Sequence, residues 1–93
     1  MINAIIIDDE PAAIESLKKD LKKYCPQVSV VAEVASGKDG LLAIKRLQPQ
    51  LVFLDVAMPW MNGFEMLELL PEINFALIFT TAHDQFAALA FRK

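Results

Sequence analysis

The sequence predicts an α/β fold, a parallel sheet with helices packed on both faces. Three observations carry the prediction. Short continuous apolar runs alternate with segments of helical spacing, Gly and Pro punctuate the junctions, and the connections are brief. The order reads β-α-β-α-β-α-β-α along 93 residues, a length that allows one domain.

Ala4 to Ile7 is an unbroken apolar run, as expected for a strand buried on both sides. Pro11 to Tyr24 follows with Ile14, Leu17, Leu21 and Tyr24 on one stripe and Lys18, Lys19, Lys22 and Lys23 largely off it. Asp8 or Asp9 is placed to cap this helix, Pro11 suits its first turn, and Pro26 ends it. Val28 to Ala35 is β-branched and reads as a second strand. After the break at Ser36-Gly37, Lys38 to Leu47 is helical, with Leu41, Leu42, Ile44 and Leu47 as its apolar face and Pro49 as its stop. Leu51 to Leu54 is a short strand that runs into Asp55. Met58 to Gly63 is a loop, and Phe64 to Leu70 a short helix closed by Pro71. Phe75 to Thr80 is the fourth strand, and a further helix runs from Ala82 to Phe91 with Phe86, Leu89 and Ala90 apolar.

Composition excludes several classes. Hydrophobic residues make up 55% of the chain and charged residues 23%, too apolar for a disordered segment. The formal net charge is −3, without the basic stripe of a nucleic-acid surface. No apolar run approaches the roughly 20 residues needed to span a bilayer, and the first apolar stretch lacks a basic leader and stops at Asp8-Asp9-Glu10. The lone Cys25 rules out an intrachain disulfide. A soluble cytoplasmic domain that touches neither membrane nor nucleic acid is expected. The chain stops at Ala90-Phe91-Arg92-Lys93, within a helical pattern, so a fragment of a longer protein is expected too.

In an open parallel sheet, ligands bind beyond the carboxyl ends of the strands. Here the first strand ends in Asp8-Asp9-Glu10, the third in Asp55 and the fourth in Thr80-Thr81. Carboxylates from two separate strands would therefore converge on one edge with a hydroxyl beside them. Such crowding raises their pKa values by mutual repulsion, and a hard divalent cation relieves it. Acids at a helix N-terminus also serve as plain caps, which accounts for Asp8-Asp9 taken alone. Asp55 at the tip of an apolar strand has no such role.

These residues carry a resemblance. Ile6-Ile7-Asp8-Asp9-Glu10-Pro11, Leu54-Asp55-Val56-Ala57-Met58-Pro59 with Gly63, and Phe79-Thr80-Thr81-Ala82 are similar in order and spacing to the receiver domain of bacterial two-component response regulators. The likeness covers essentially the whole chain. The stretch from Phe79 through Phe91 most resembles receivers joined to LytTR-type DNA-binding domains. The resemblance implies a doubly wound, flavodoxin-like sheet with strand order 2-1-3-4. It further implies that Asp55 accepts a phosphoryl group from a sensor histidine kinase. Asp9 would ligate Mg²⁺, Asp8 would hold it directly or through water, and Asp55 and the backbone carbonyl of Ala57 would complete the protein's ligands. Thr81, matched by the small Ala82 that follows it, would donate a hydrogen bond to a phosphoryl oxygen, and Thr80 would face the opposite way because strand residues alternate. The output would be a shape change that switches a DNA-binding domain, so the module is a switch and not a turnover enzyme.

The family also carries a fifth strand and helix, and a lysine at the end of that strand pairs with the phosphoryl group. No such segment is present in these 93 residues. Metal binding is expected to persist and the phosphoryl group to be less well held. The fourth strand would become an apolar edge, which predicts dimerisation, exchange of elements, or instability.

The remaining site candidates are weaker. His83, the single histidine, stands near the mouth and would contact the phosphoryl group or the attacking water, unless it is only an exposed first-turn residue. Gly63 is expected in a conformation that side chains disfavour. Trp60, after Pro59, is expected to be partly exposed, and the lysines of the first helix read as a solvated face. Two alternatives are a haloacid-dehalogenase-like phosphotransferase and a degenerate receiver acting as an interaction module. The former wants a second acid where Ala57 stands. A nucleotide-binding domain would need a glycine-rich loop after the first strand, and none follows.

Overall fold

The computed structural model describes residues 1–80, so the helix expected from Ala82 to Phe91 lies outside the described residues. The elements are β1 (Ile2–Ile7), α1 (Pro11–Tyr24), β2 (Val28–Val34), α2 (Gly37–Leu47), β3 (Leu51–Leu54), α3 (Gly63–Glu68) and β4 (Ala76–Phe79). The four strands form one sheet in the order β2-β1-β3-β4, and every pairing is parallel. The predicted architecture and strand order are both observed.

The apolar run of β1 is central because alternate residues serve opposite faces. Ile5 and Ile7 join Val52 and Leu54 of β3 against Ala43 and Ile44 of α2 and Met66 of α3. Ala4 and Ile6 join Phe53 against Ile14 and Leu21 of α1. Ile5, Ile6 and Ile7 have at most 1% of their surface exposed, and burying each contributes about 2 kcal/mol. Strand β1 starts earlier than its apolar run because backbone pairing continues: Ile2 and Asn3 stand opposite Val28 and Ser29, and Asn3 N–H donates to Gln50 Oε1.

Three details depart from the sequence reading. Tyr24 leaves the α1 stripe and is 69% exposed, with the Lys23 ammonium 5.2 Å from its ring centre. Cys25 packs against the core in its place. On α2, Leu42 is exposed while Gly40 and Ala43 are buried. The helix lies so close to the sheet that a Cβ on Gly40 would meet Ile7 Cδ1 at 2.8 Å and Met66 Sδ at 2.9 Å. Small residues therefore face the sheet, and the bulky Leu42 is turned to solvent. Finally, neither Asp8 nor Asp9 caps α1. Glu10 is the N-cap residue and makes no side-chain cap bond, with Pro11 starting the helix as expected.

Candidate acidic metal and phosphoacceptor site

Strand register alone brings the acids together. Ile7 stands opposite Leu54 in the parallel β1–β3 pair, so the next residue on each strand is an aspartate, Asp8 on one and Asp55 on the other. Two bonds continue the ladder past the strand ends. Asp55 N–H donates to the Ile7 carbonyl at 2.9 Å, and Asp8 N–H to the Val34 carbonyl at 3.0 Å. Asp8, Asp9 and Asp55 each offer a carboxylate oxygen within 4.8 Å of the others.

The three acids differ in environment. Asp8 is buried, 6% exposed, and is the buried polar residue among the described core. Its Oδ1 accepts the Glu10 N–H at 2.9 Å. Asp55 is half-buried and accepts the Ala57 N–H on Oδ1 at 3.2 Å, while Asp9 and Ala57 are exposed. Burial holds the Asp8 carboxyl above its ordinary value. The Glu10 hydrogen bond offsets part of this, and the charges of Asp55, Asp9 and Glu10 add to the rise. A buried acid at the centre of a cluster of its own sign is an electrostatic cost that a cation would remove. Oxygen donors of this kind suit a hard ion such as Mg²⁺.

The β3–α3 loop braces Asp55 from behind. Gly63 N–H donates to the Val56 carbonyl at 3.0 Å and closes the loop's neck. A Cβ on Gly63 would lie 2.9 Å from the Asp55 carbonyl oxygen and 3.1 Å from Val56 Cα. Gly63 therefore does not need a left-handed backbone, contrary to the sequence expectation: no glycine here has positive φ. It needs the missing side chain, because the first turn of α3 presses against the main chain of Asp55. Asn62 starts that turn with a reciprocal cap, its Oδ1 accepting Glu65 N–H and Glu65 Oε1 accepting Asn62 N–H, both at 2.9 Å. The Asn-x-x-Glu spacing was the available signal for this brace.

Trp60 is fully rather than partly exposed, at 100%. Thr80 N–H donates to the Leu54 carbonyl at 2.9 Å, so the chain after β4 still runs level with the residue before Asp55. Thr81 and His83 lie outside the described residues.

Residues 4–92 match the response regulator receiver domain family. A response regulatory protein of Yersinia pestis is 40% identical over 94 aligned positions, covering 100% of this chain and 39% of that protein. The transcriptional regulatory protein BtsR of Escherichia coli K12 is 37% identical, again over 100% of this chain and 39% of its own length. The chain thus spans well under half of the curated relatives it matches. Among solved structures, the receiver domain of AraT, a response regulator from Geobacillus stearothermophilus, superposes with a TM-score of 0.82 at 27% identity, covering 98% of this chain and 74% of that one. The response regulatory domain of mrkE from Klebsiella pneumoniae shares the fold, with a TM-score of 0.85 at 24% identity over 98% of this chain and 75% of that one. With its acids gathered at the carboxyl edge of a 2-1-3-4 sheet and its whole length matched, the chain belongs to the receiver domain family of two-component response regulators.

Proposed function

We propose that residues 1–93 act as one phosphoacceptor module, in which Asp55 receives a phosphoryl group from the phosphohistidine of a sensor kinase. The convergence of Asp8, Asp9 and Asp55 within 4.8 Å is the observation that carries this reading. A carboxylate oxygen of Asp55 forms the new O–P bond as the P–N bond of the donor breaks. The bonding pair returns to the imidazole nitrogen, and the ring leaves neutral when its other nitrogen carries a proton. Mg²⁺ would be held by Asp8, Asp9 and Asp55 with the Ala57 carbonyl, and when bound it supplies charge neutralisation for the incoming phosphoryl oxygens. Asp8 and Asp9 set the negative field that draws the ion. The Ala57 N–H holds one Asp55 oxygen and leaves the other as the nucleophile. Thr81 would donate to a phosphoryl oxygen.

The output is a shape change rather than turnover of a substrate, which makes the module a switch. A transcriptional regulatory protein among the relatives supports a DNA-binding output in a longer protein, of the LytTR type that the Phe79–Phe91 stretch resembles. The described residues contain no helix long and apolar enough to cross a membrane, and Cys25 is free. A cytoplasmic setting fits both. Incubation with phosphoramidate and Mg²⁺ should add one phosphoryl group by intact mass, and Asp55→Asn should add none. Unchanged labelling of Asp55→Asn would refute the assignment.

A further inference from the structure

The loop after β3 carries a feature that neither the metal nor the phosphoryl chemistry uses. Trp60 is wholly exposed, although tryptophan is on average highly buried. Its backbone φ is 70°, and Met61 N–H donates to the Pro59 carbonyl across it at 2.8 Å. A three-residue turn with positive φ at its centre is a rare and strained form, and a side chain there is disfavoured. The other positive φ among described non-glycine residues is Gln48, which ends α2 as an ordinary left-handed cap.

The loop is fixed on either side of the turn. Met58 is buried in the core, and the Met61 side chain lies against Gly37 at the start of α2. The Val56–Gly63 bond closes the neck and the Asn62–Glu65 cap holds the far end. The indole is thus displayed from a rigid tip, and little ordering entropy is lost when it docks.

The neck of the same loop is the site, since Gly63 abuts the Asp55 carbonyl. Chain length keeps Trp60 within about 17 Å of Asp55, and the tight turns at 56–58 and 59–61 shorten that reach. An ordinary protein interface covers about 800 Å² per partner, a disc of about 16 Å radius. A protein that brings its phosphoryl group to Asp55 has a footprint wide enough to include Trp60, whereas a small phosphodonor has no surface to reach it. We propose that Trp60 is the anchor on which a phosphohistidine-bearing protein docks to this module. The inference rests on the phosphoacceptor reading of Asp55. The partner's complement is an apolar depression beside its phosphorylated histidine, because an exposed aromatic contributes to binding when a pocket desolvates it.

The test follows phosphoryl transfer to the wild type and to Trp60→Asn, Trp60→Gly and Trp60→Phe from two donors. One is phosphoramidate, and the other is the set of autophosphorylated sensor-kinase transmitter fragments from the same genome. Asn and Gly both accept positive φ, so each should melt at or above the wild-type temperature. With phosphoramidate all four proteins should agree within about twofold. With the transmitter that serves the wild type, kcat/KM should fall about tenfold or more for Asn and Gly, mainly through KM, and Phe should recover most of it. Equal rates from the protein donor would overturn the inference, as would parallel losses with both donors. A wild type labelled by phosphoramidate but by no transmitter removes this inference alone. A wild type labelled by neither donor removes the phosphoacceptor reading with it.

Discussion

Two of the loops at the carboxyl edge of the sheet solve opposite problems. The β1–α1 loop is short and almost all charge: Asp8, Asp9 and Glu10 pass directly from strand to helix. Its backbone is ordinary, and its cost is electrostatic, concentrated on the buried Asp8. The β3–α3 loop is longer and mostly apolar from Val56 to Met61, and its cost is conformational, concentrated on Trp60 at φ 70°. One loop holds charge that a ligand would neutralise. The other holds shape, bracing Asp55 through Gly63 and displaying an indole. Each pays in the free protein for something that only a bound partner returns.

The largest expected effect comes from the charged loop. Asp9→Ala removes an exposed acid without disturbing the core, and Mg²⁺ affinity should fall about a hundredfold or more, since even the supporting partners of ligands cost 10- to about 100-fold. Titration followed by Trp60 emission or calorimetry reads this. An unchanged affinity would place the ion elsewhere. In the apolar loop, Gly63→Ala drives a Cβ to 2.9 Å from the Asp55 carbonyl oxygen. Backbone cannot step aside as a side-chain end can, so a loss of about 1–3 kcal/mol is expected in denaturant unfolding. Labelling of Asp55 should slow as well, because the displaced main chain carries the proposed phosphoacceptor.

The same contrast explains what the sequence revealed. Charge and hydrophobic period are written residue by residue, so the alternation of elements, the strand order through the family likeness and the meeting of Asp8 with Asp55 were legible. Shape depends on distances between segments. Leu42 and Ala43 both fit a helical stripe, and only the close approach of α2 at Gly40 decides which faces inward. Gly63 looked like a residue chosen for backbone freedom, and its real constraint is a neighbour's carbonyl. Tyr24 sat on the right stripe but at the helix end, where the packing stops.

A third, smaller effect separates charge from shape by pH. Because the folded-state pKa of Asp8 is raised above its ordinary 3.8, the fold prefers the neutral acid. The native state binds more protons than the unfolded chain in that window, so stability falls as pH climbs from near 3.8 through the raised value and carries the full penalty at neutrality. Asp8→Asn keeps an oxygen for the Glu10 N–H and removes the charge. The metal-free variant should melt above the wild type at pH 7, with the gap closing in acid. Mg²⁺ should then raise the Tm of the wild type more than that of the variant. A variant less stable than wild type at pH 7 would mean that the buried charge is already compensated.

The smallest effect isolates the strain. Trp60→Gly removes a side chain with no buried surface, so no packing is lost. A side chain in the left-handed region costs about 1–2 kcal/mol, and glycine returns roughly 0.5–1 kcal/mol of that through the freedom it gives the unfolded chain. The net gain should therefore lie between about 0 and 1.5 kcal/mol. Trp60→Ala keeps the side-chain penalty at φ 70° and should leave Tm where it was. A gain with Gly and none with Ala locates the cost in the backbone of the turn, which is what a residue kept for an outside contact would show. A loss with both would instead mean that the indole shields part of the loop, and the division of labour between charge and shape would fail at its apolar end.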